Sequence, residues 1–577
     1  MTLATSAPTP AIPGWRRALR APSAVGLALA SLAFAAALTP TLIPRTALTQ
    51  GFLAGIAAAA GYGLGVLLQA LWLYLELPRA TGKIRSAMLA AVAVLCAGMI
   101  GFCLWHAAGW QDSIRLRMAM EPLASAHLAQ LVAIAVVCFL ILLALGRGFA
   151  GVARYLAHCA GRWMPPRLAA LLGFTATILL VWVLASGALF RGALPLLDSS
   201  FREFDSLLEP ERPQPTRHDR SGGPSSLVSW KSLGRAGREF IASGPSAEQI
   251  ASLSGLPARE PIRAYVGLQA ADSAKARARL ALEELKRAGG FERSNLIVIT
   301  PTGTGWVDPA AMDTVEYLLH GDVASVAVQY SYLSSPLSLL AHPEYGNEAA
   351  RALFTEIYAY WTTLPRDRRP RLYLHGLSLG AMNSARSVEL FDIFDDPIDG
   401  AVWSGPPFAS RAWQSITNGR NPGSPAWLPT FRDGRLVRFL NQNGSPVPAD
   451  APWGSMRIVY LQYASDAITF FSPHDFYRPP AWLEAPRGPD VSPQLRWYPV
   501  VSMLQLALDM MLSTEAPMGY GHVYAPEHYA DAWTLVAGAD GWTPEALSRL
   551  KSHLSGEARR EMADPAEDEN PYAHRGG

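Results

Sequence analysis

Cysteine is scarce in this chain of 577 residues: there are four, Cys96, Cys103, Cys138 and Cys159, all in the first third. The remaining two thirds hold no internal disulfide, so whatever folds there must rest on a core large enough to do without one. Charge is sparse as well. Asp, Glu, Lys and Arg make up 17% of the residues, against about 25% in ordinary soluble domains. A net charge of +2 offers nothing to a polyanion, so no nucleic-acid partner is expected. Metal signatures are missing too, with no HExxH and no paired-cysteine spacing. The glycine-rich PTGTGW (301–306) lacks both the GK[ST] ending of a P-loop and the GxGxxG spacing of a dinucleotide site. No metal and no cofactor are expected.

What the chain does have is apolar length. Five stretches, at about 23–43, 50–75, 87–107, 127–146 and 168–190, each approach or exceed the ~20 residues that cross a bilayer as a helix. Their interiors carry essentially no ionisable side chains, which argues against a transporter or ion channel. Arg16, Arg17 and Arg20 precede the first stretch. Arg79, Lys83 and Arg85 lie between the second and third, and Arg147, Arg154, Arg162 and Arg167 between the fourth and fifth. The alternate loops hold only Arg45, and Arg115 with Arg117. Basic loops stay in the cytoplasm, so five spans put everything beyond Phe190 outside. The first stretch has a signal-peptide-like charged start but no convincing cleavage site, and Pro40 and Pro44 follow it. Gly51 with Gly55, and Gly61 with Gly65, are spaced for close helix approach, read here as packing within the bundle.

These features divide the chain into a tail (1–22), a transmembrane helical domain (23–191), a linker (192–227), a globular domain (228–545) and a polar tail (546–577). Within the linker, EPERPQPTRHDRSGGPSS (209–226) reads as mobile on composition. From 228 onward, apolar runs alternate with amphipathic ones, the pattern of a mostly parallel sheet with covering helices. Strands are expected at 262–268, 295–300, 324–330 and 371–375, with helices at 272–288, 309–320 and 346–364.

The strand RLYLH (371–375) runs into GLSLG (376–380), and a helical AMNSARSVELF follows. A G-x-S-x-G between strand and helix lifts a serine hydroxyl above the sheet edge. Ser378 is the expected nucleophile, Gly376 and Gly380 leave room at the turn, and the Leu379 amide faces the anion formed on attack. Such a serine needs a base, and the base an orienting acid, in the order Ser, Asp or Glu, His. Asp466 ends the strong apolar run MRIVYLQYASDAI (456–468), at the same sheet edge as Ser378. Its rival Asp399 begins a strand and belongs at the opposite edge. For the base, His522 in a glycine-rich loop is preferred to His528 in the following helix. His375 is assigned to packing or hydrogen bonding beneath the site, and His474 to a lid. The loop after the 295–300 strand, at Thr302 and Gly303, is expected to supply the second oxyanion amide. Two aromatic- and proline-rich insertions, at about 409–454 and 471–516, are expected to cover the site. Within the second, VVSMLQLALDMML (500–512) is expected to line an acyl pocket or dock on the membrane.

Together the apolar spans, SLVSWKSLGRAGREF, PTGTGW, HGLSLG, PPAWLEAPRGPDVSPQLRWYP and GHVY resemble the bacterial α/β-hydrolase family with a membrane-spanning amino-terminal domain, over about 20–540. The resemblance implies a multi-pass protein of the cytoplasmic membrane with an α/β-hydrolase domain outside it and a triad of Ser378, Asp466 and His522. Members of that family often carry a second Gly-His just before GHxY; here Tyr520 separates the glycines, which leaves His522 alone. The expected activity is hydrolysis of an ester, lipid-like or envelope-linked, with the bilayer and that ester as partners. Acyl transfer to an envelope acceptor by the same triad is the alternative, and a non-catalytic scaffold is a third reading.

Overall fold

All five apolar stretches are helical: α1 (Ala24–Ala37), α2 (Ala47–Tyr74), α3 (Gly82–Arg115), α4 (Leu128–Ala160) and α5 (Pro166–Gly187). They come from a computed structural model that describes residues 22–563 except 126, 343 and 390. The arginines of the amino-terminal tail, and residues 564–577 of the polar tail, lie outside the described residues. The fivefold count of spans needs correction. Among the described residues four helical stretches, Ala47–Tyr74, Gly82–Met118, Leu128–Ala160 and Pro166–Ser206, are long and apolar enough to cross a membrane. The protein is membrane-associated. α1 has 14 residues, about 21 Å of helix against a hydrocarbon core of ~30 Å. Pro40 stops it early, because the residue before a proline is pushed out of helical geometry.

Two compact units form, and the chain passes between them more than once. The first contains the described residues up to Val181 together with Ser472–Pro480 and Val491–Leu512; the second contains Trp182–Phe471, Ala481–Asp490 and the chain from Ser513 onward. In the first unit the glycine pairs do what their spacing suggested. A β-carbon on Gly51 would lie 2.7 Å from the Leu131 carbonyl of α4, and one on Gly65 would lie 2.6 Å from Gly26 of α1. Such approach is open to glycine alone. The helix Val501–Leu512 also belongs to this unit. Val501 joins Ala37, Leu53, Ala54, Ala57 and Ala135 in one apolar cluster.

Beside that cluster lies a buried polar network. Arg45 Nη2 donates to Asp509 Oδ1 at 2.6 Å, with both side chains fully buried. Asp509 also accepts from Thr41 Oγ1 (3.1 Å) and the Leu42 amide (3.0 Å). The Arg45 amide donates to Gln111 Oε1 at 2.9 Å, and Gln50 Nε2 to the Ala37 carbonyl at 2.7 Å. Loss of Asp509 would take the acceptor from the buried Leu42 amide and from the Arg45 Nε.

The second unit is built on seven strands: β1 (Ile262–Val266), β2 (Asn295–Thr300), β3 (Val323–Val328), β4 (Arg371–Leu377), β5 (Gly400–Ser404), β6 (Val437–Leu440) and β7 (Arg457–Leu461). They lie in the order β1-β3-β2-β4-β5-β7-β6 and every pairing is parallel. Burial on both faces explains their nearly continuous apolar runs. Because all strands point one way, residues just past the ends of β4, β5 and β7 share one edge of the sheet.

Three boundaries differ from the expectation. β6 lies inside the 409–454 insertion and adds an edge strand. Residues 209–226, read as a mobile linker, are tied to the rest of the second unit: Glu209 pairs with Arg238 at 2.8 Å, and Glu284 accepts from Ser221, Ser226 and the Leu227 amide. Composition signals polarity, and here the polar groups have partners. The polar tail begins as a helix, Pro544–Ala563, which buries Leu550 and Leu554.

Candidate active site

Ser378 sits between β4 and the helix Leu379–Ser387 with φ 57° and ψ −122°. A non-glycine residue held there stores on the order of 1–3 kcal/mol, which the surrounding structure must impose. The imposing contacts are visible. The Ser378 amide donates to the Ser404 carbonyl at the end of β5 (2.9 Å). A β-carbon on Gly376 would collide with the Gly380 carbonyl carbon, and one on Gly380 with the Thr300 carbonyl oxygen. Both glycines are therefore required by close approach. Leu379 opens the helix, where the first amides lack partners within it and the dipole favours an anion.

Asp466 follows β7 and is fully buried. Its Oδ1 accepts from the Ile468 amide at 2.9 Å, capping a short helix. Its Oδ2 lies 2.7 Å from His522 Nδ1 and also accepts from the Tyr524 hydroxyl (2.7 Å) and Thr469 Oγ1 (3.2 Å). With the carboxylate on Nδ1, the imidazole carries its proton there and leaves Nε2 as the basic nitrogen. His522 Nε2 is buried and makes no hydrogen bond among the described residues. The ring lies against Gly405, where a β-carbon would come within 2.6 Å of Cε1. The Ser404–Gly405 backbone thus touches the serine turn on one side and the imidazole on the other. Ser378 Oγ is not hydrogen-bonded to Nε2 here; such contacts are often long before substrate binds.

The other candidates separate by position. Asp399 precedes β5, at the opposite end of the strands, where it accepts from the Leu372 amide (2.7 Å). His528 Nδ1 bonds the Tyr463 hydroxyl at 2.6 Å. His375 lies beneath the turn with Nδ1 donating to the Val402 carbonyl (2.9 Å); burial pushes its pKa down to about 4, so it is neutral. The Thr302 amide donates within its own loop to the Trp306 carbonyl, and the Gly303 amide to Ser335 Oγ of the helix Ser335–Ala341, each at 3.0 Å. An oxyanion role for either requires that loop to rearrange. His474 belongs to the first unit.

Sequence reasoning passed over three participants: Tyr524, Gly405 and Asp308. Tyr524 was readable in GHVY, two residues past the histidine. Asp308 closes the loop after β2, caps the helix Pro309–Leu318 through the Ala310 amide (3.0 Å) and accepts from the Tyr529 hydroxyl (2.8 Å). Burial pushes its carboxyl up to about 6, against those two donors and the nearby His522.

A family model described as "Alpha/beta-hydrolase family" matches residues 262–550, and one described as "Alpha/beta-hydrolase family N-terminus" matches 38–245. No curated protein and no solved structure gave a match.

Proposed function

The chain belongs to the α/β-hydrolase family those models describe, and from that premise we propose that it is a membrane-anchored serine hydrolase that cleaves a lipid-like or envelope-linked ester. The observation that carries this reading is the His522 Nδ1–Asp466 Oδ2 bond of 2.7 Å, with the other imidazole nitrogen unengaged beside the Ser378 turn. In this reading Ser378 Oγ attacks the ester carbonyl while His522 Nε2 takes its proton, and Asp466 holds the imidazolium. The tetrahedral oxyanion faces the Leu379 amide. Collapse expels the alcohol, which takes the proton back from His522 and leaves an acyl-Ser378. Water, deprotonated by the same imidazole, then releases the acid.

Helix alternation supports an outer location for the hydrolase domain. α2 to α5 place the loops 75–81 and 161–165 at one end of the bundle. Arg79 lies in the first of these, and Arg162 in the second, with Lys83, Arg85 and Arg167 one turn away. If that end is cytoplasmic, the chain leaves α5 on the outer side whether or not α1 crosses. The parity no longer depends on the first stretch.

A fluorophosphonate probe on membranes tests the nucleophile. Ser378→Ala should lower labelling and ester turnover by roughly three or more orders of magnitude. Labelling of the variant at the wild-type rate would refute the assignment.

A further inference from the structure

The Asp466 carboxylate is approached by more donors than a triad needs. His522 Nδ1 and the Tyr524 hydroxyl both lie 2.7 Å from the same oxygen, Oδ2. Tyr524 is two residues from His522, so one short loop delivers both donors. Its ring is fixed from outside: it stacks on Tyr463 with centroids 4.5 Å apart and meets the His522 ring edge-on at 5.8 Å. The hydroxyl is a committed donor. Burial, and the Asp466 charge beside it, push its pKa well above the usual tyrosine value, so it stays protonated wherever the enzyme is folded.

We propose that Tyr524 is a positioning residue of the triad: its hydroxyl withdraws part of the Asp466 Oδ2 charge and holds that oxygen in the plane from which it meets His522 Nδ1. This rests on the hydrolase reading above. Two effects follow from a single bond. The carboxylate cannot swing Oδ2 away from Nδ1 and release the imidazole. It also binds the imidazolium less tightly than a carboxylate lacking this donor. The other titratable groups packed around the pair are Asp308, whose charge acts on His522, and Tyr463, Tyr529 and His528 behind the tyrosine ring. Among the described residues none of these four groups hydrogen-bonds Asp466, whose partners are Ile468, Thr469, His522 and Tyr524, so the Tyr524 bond is separable from them by substitution.

The test uses the full-length protein in detergent micelles, a fluorophosphonate probe and a chromogenic short-chain ester, over about pH 5–9. Tyr524→Phe removes the hydroxyl and keeps the ring. Its second-order labelling rate should fall by about tenfold at neutral pH, and the acid limb of its rate profile should move to higher pH by about half a unit. Tyr463→Phe is the control: equally buried, stacked on the same ring, but with a hydroxyl that serves His528 and the Ala525 amide. It should lower the melting temperature without moving the acid limb. A Tyr524→Phe profile superimposable on wild type, or a shift shared by Tyr463→Phe, would overturn the inference. Unimpaired labelling of Ser378→Ala would instead remove the hydrolase reading itself.

Discussion

One buried carboxylate paired with a nitrogen partner can be compared from each of the two units, and the two pairs behave oppositely. In the first unit Asp509 meets Arg45 at 2.6 Å; in the second Asp466 meets His522 at 2.7 Å. Both carboxylates accept at least three further or shared donors, so hydrogen-bond satisfaction does not distinguish them. The partner does. Arg45 is permanently charged, and its guanidinium also donates to the Gln505 carbonyl and to Gln50. His522 is an imidazole, which can take up and release a proton, and it keeps Nε2 out of any bond among the described residues. A buried pair with every nitrogen engaged fixes a fold. A buried pair with one basic nitrogen held back can move a proton.

The sharpest way to break this comparison is to neutralise each acid in turn. Asp466→Asn should lower ester turnover by about 10⁴-fold, because the imidazole then loses the acceptor that sets its tautomer. Its melting temperature should stay within a few degrees of wild type, since asparagine still caps Ile468. A variant that unfolds instead, with normal turnover per folded molecule, would make Asp466 as structural as Asp509.

Asp509→Ala should do the reverse. It leaves Arg45, Thr41 and the Leu42 amide buried without their acceptor, which destabilises the first unit by about 3–5 kcal/mol. Thermal unfolding in detergent reads this directly. Replacing both members with apolar residues, Arg45→Met with Asp509→Leu, should recover most of the loss, because the cost lies in stranding one charge. Ser378 labelling per folded molecule should be unchanged. Lost labelling at a temperature where the fold persists would mean that Asp509 serves the chemistry as well.

The same contrast explains what the sequence reveals. Strands β1 to β5 and β7 are legible because burial on both faces leaves unbroken apolar runs such as NLIVIT. β6 escapes because four residues at a sheet edge carry too little pattern among the prolines and tryptophans around them. Ser378, Asp466 and His522 are legible because each lies in a local motif, a glycine turn or a strand end. The Arg45–Asp509 pair is invisible to such reading: its members are far apart in sequence, and nothing local marks either as the other's partner. The polar stripe Ser502, Gln505 and Asp509 on an otherwise apolar helix was the one hint that VVSMLQLALDMML buries a face against something polar. Tyr524 is in view in GHVY, but only the fold gives its hydroxyl a destination.

Asp308 extends the comparison to a buried carboxylate without a cation. Its donors are neutral, the Tyr529 hydroxyl and the Ala310 amide, and burial outweighs them, pushing the carboxyl up to about 6. The folded protein therefore holds this proton more tightly than the unfolded chain, whose aspartates titrate near 3.9. Folding gains from that proton below about pH 4, and the gain is lost as pH rises through about 6. Asp308→Asn removes the titration while keeping a cap oxygen for Ala310. The stability of the variant relative to wild type should thus be nearly flat below about pH 4, rise between about 4 and 6 by up to about 3 kcal/mol, and level off above. Denaturation midpoints of the two proteins across that range test it. A difference that does not change with pH would mean that Asp308 is ionised throughout, held by its two neutral donors as firmly as Asp509 is held by Arg45.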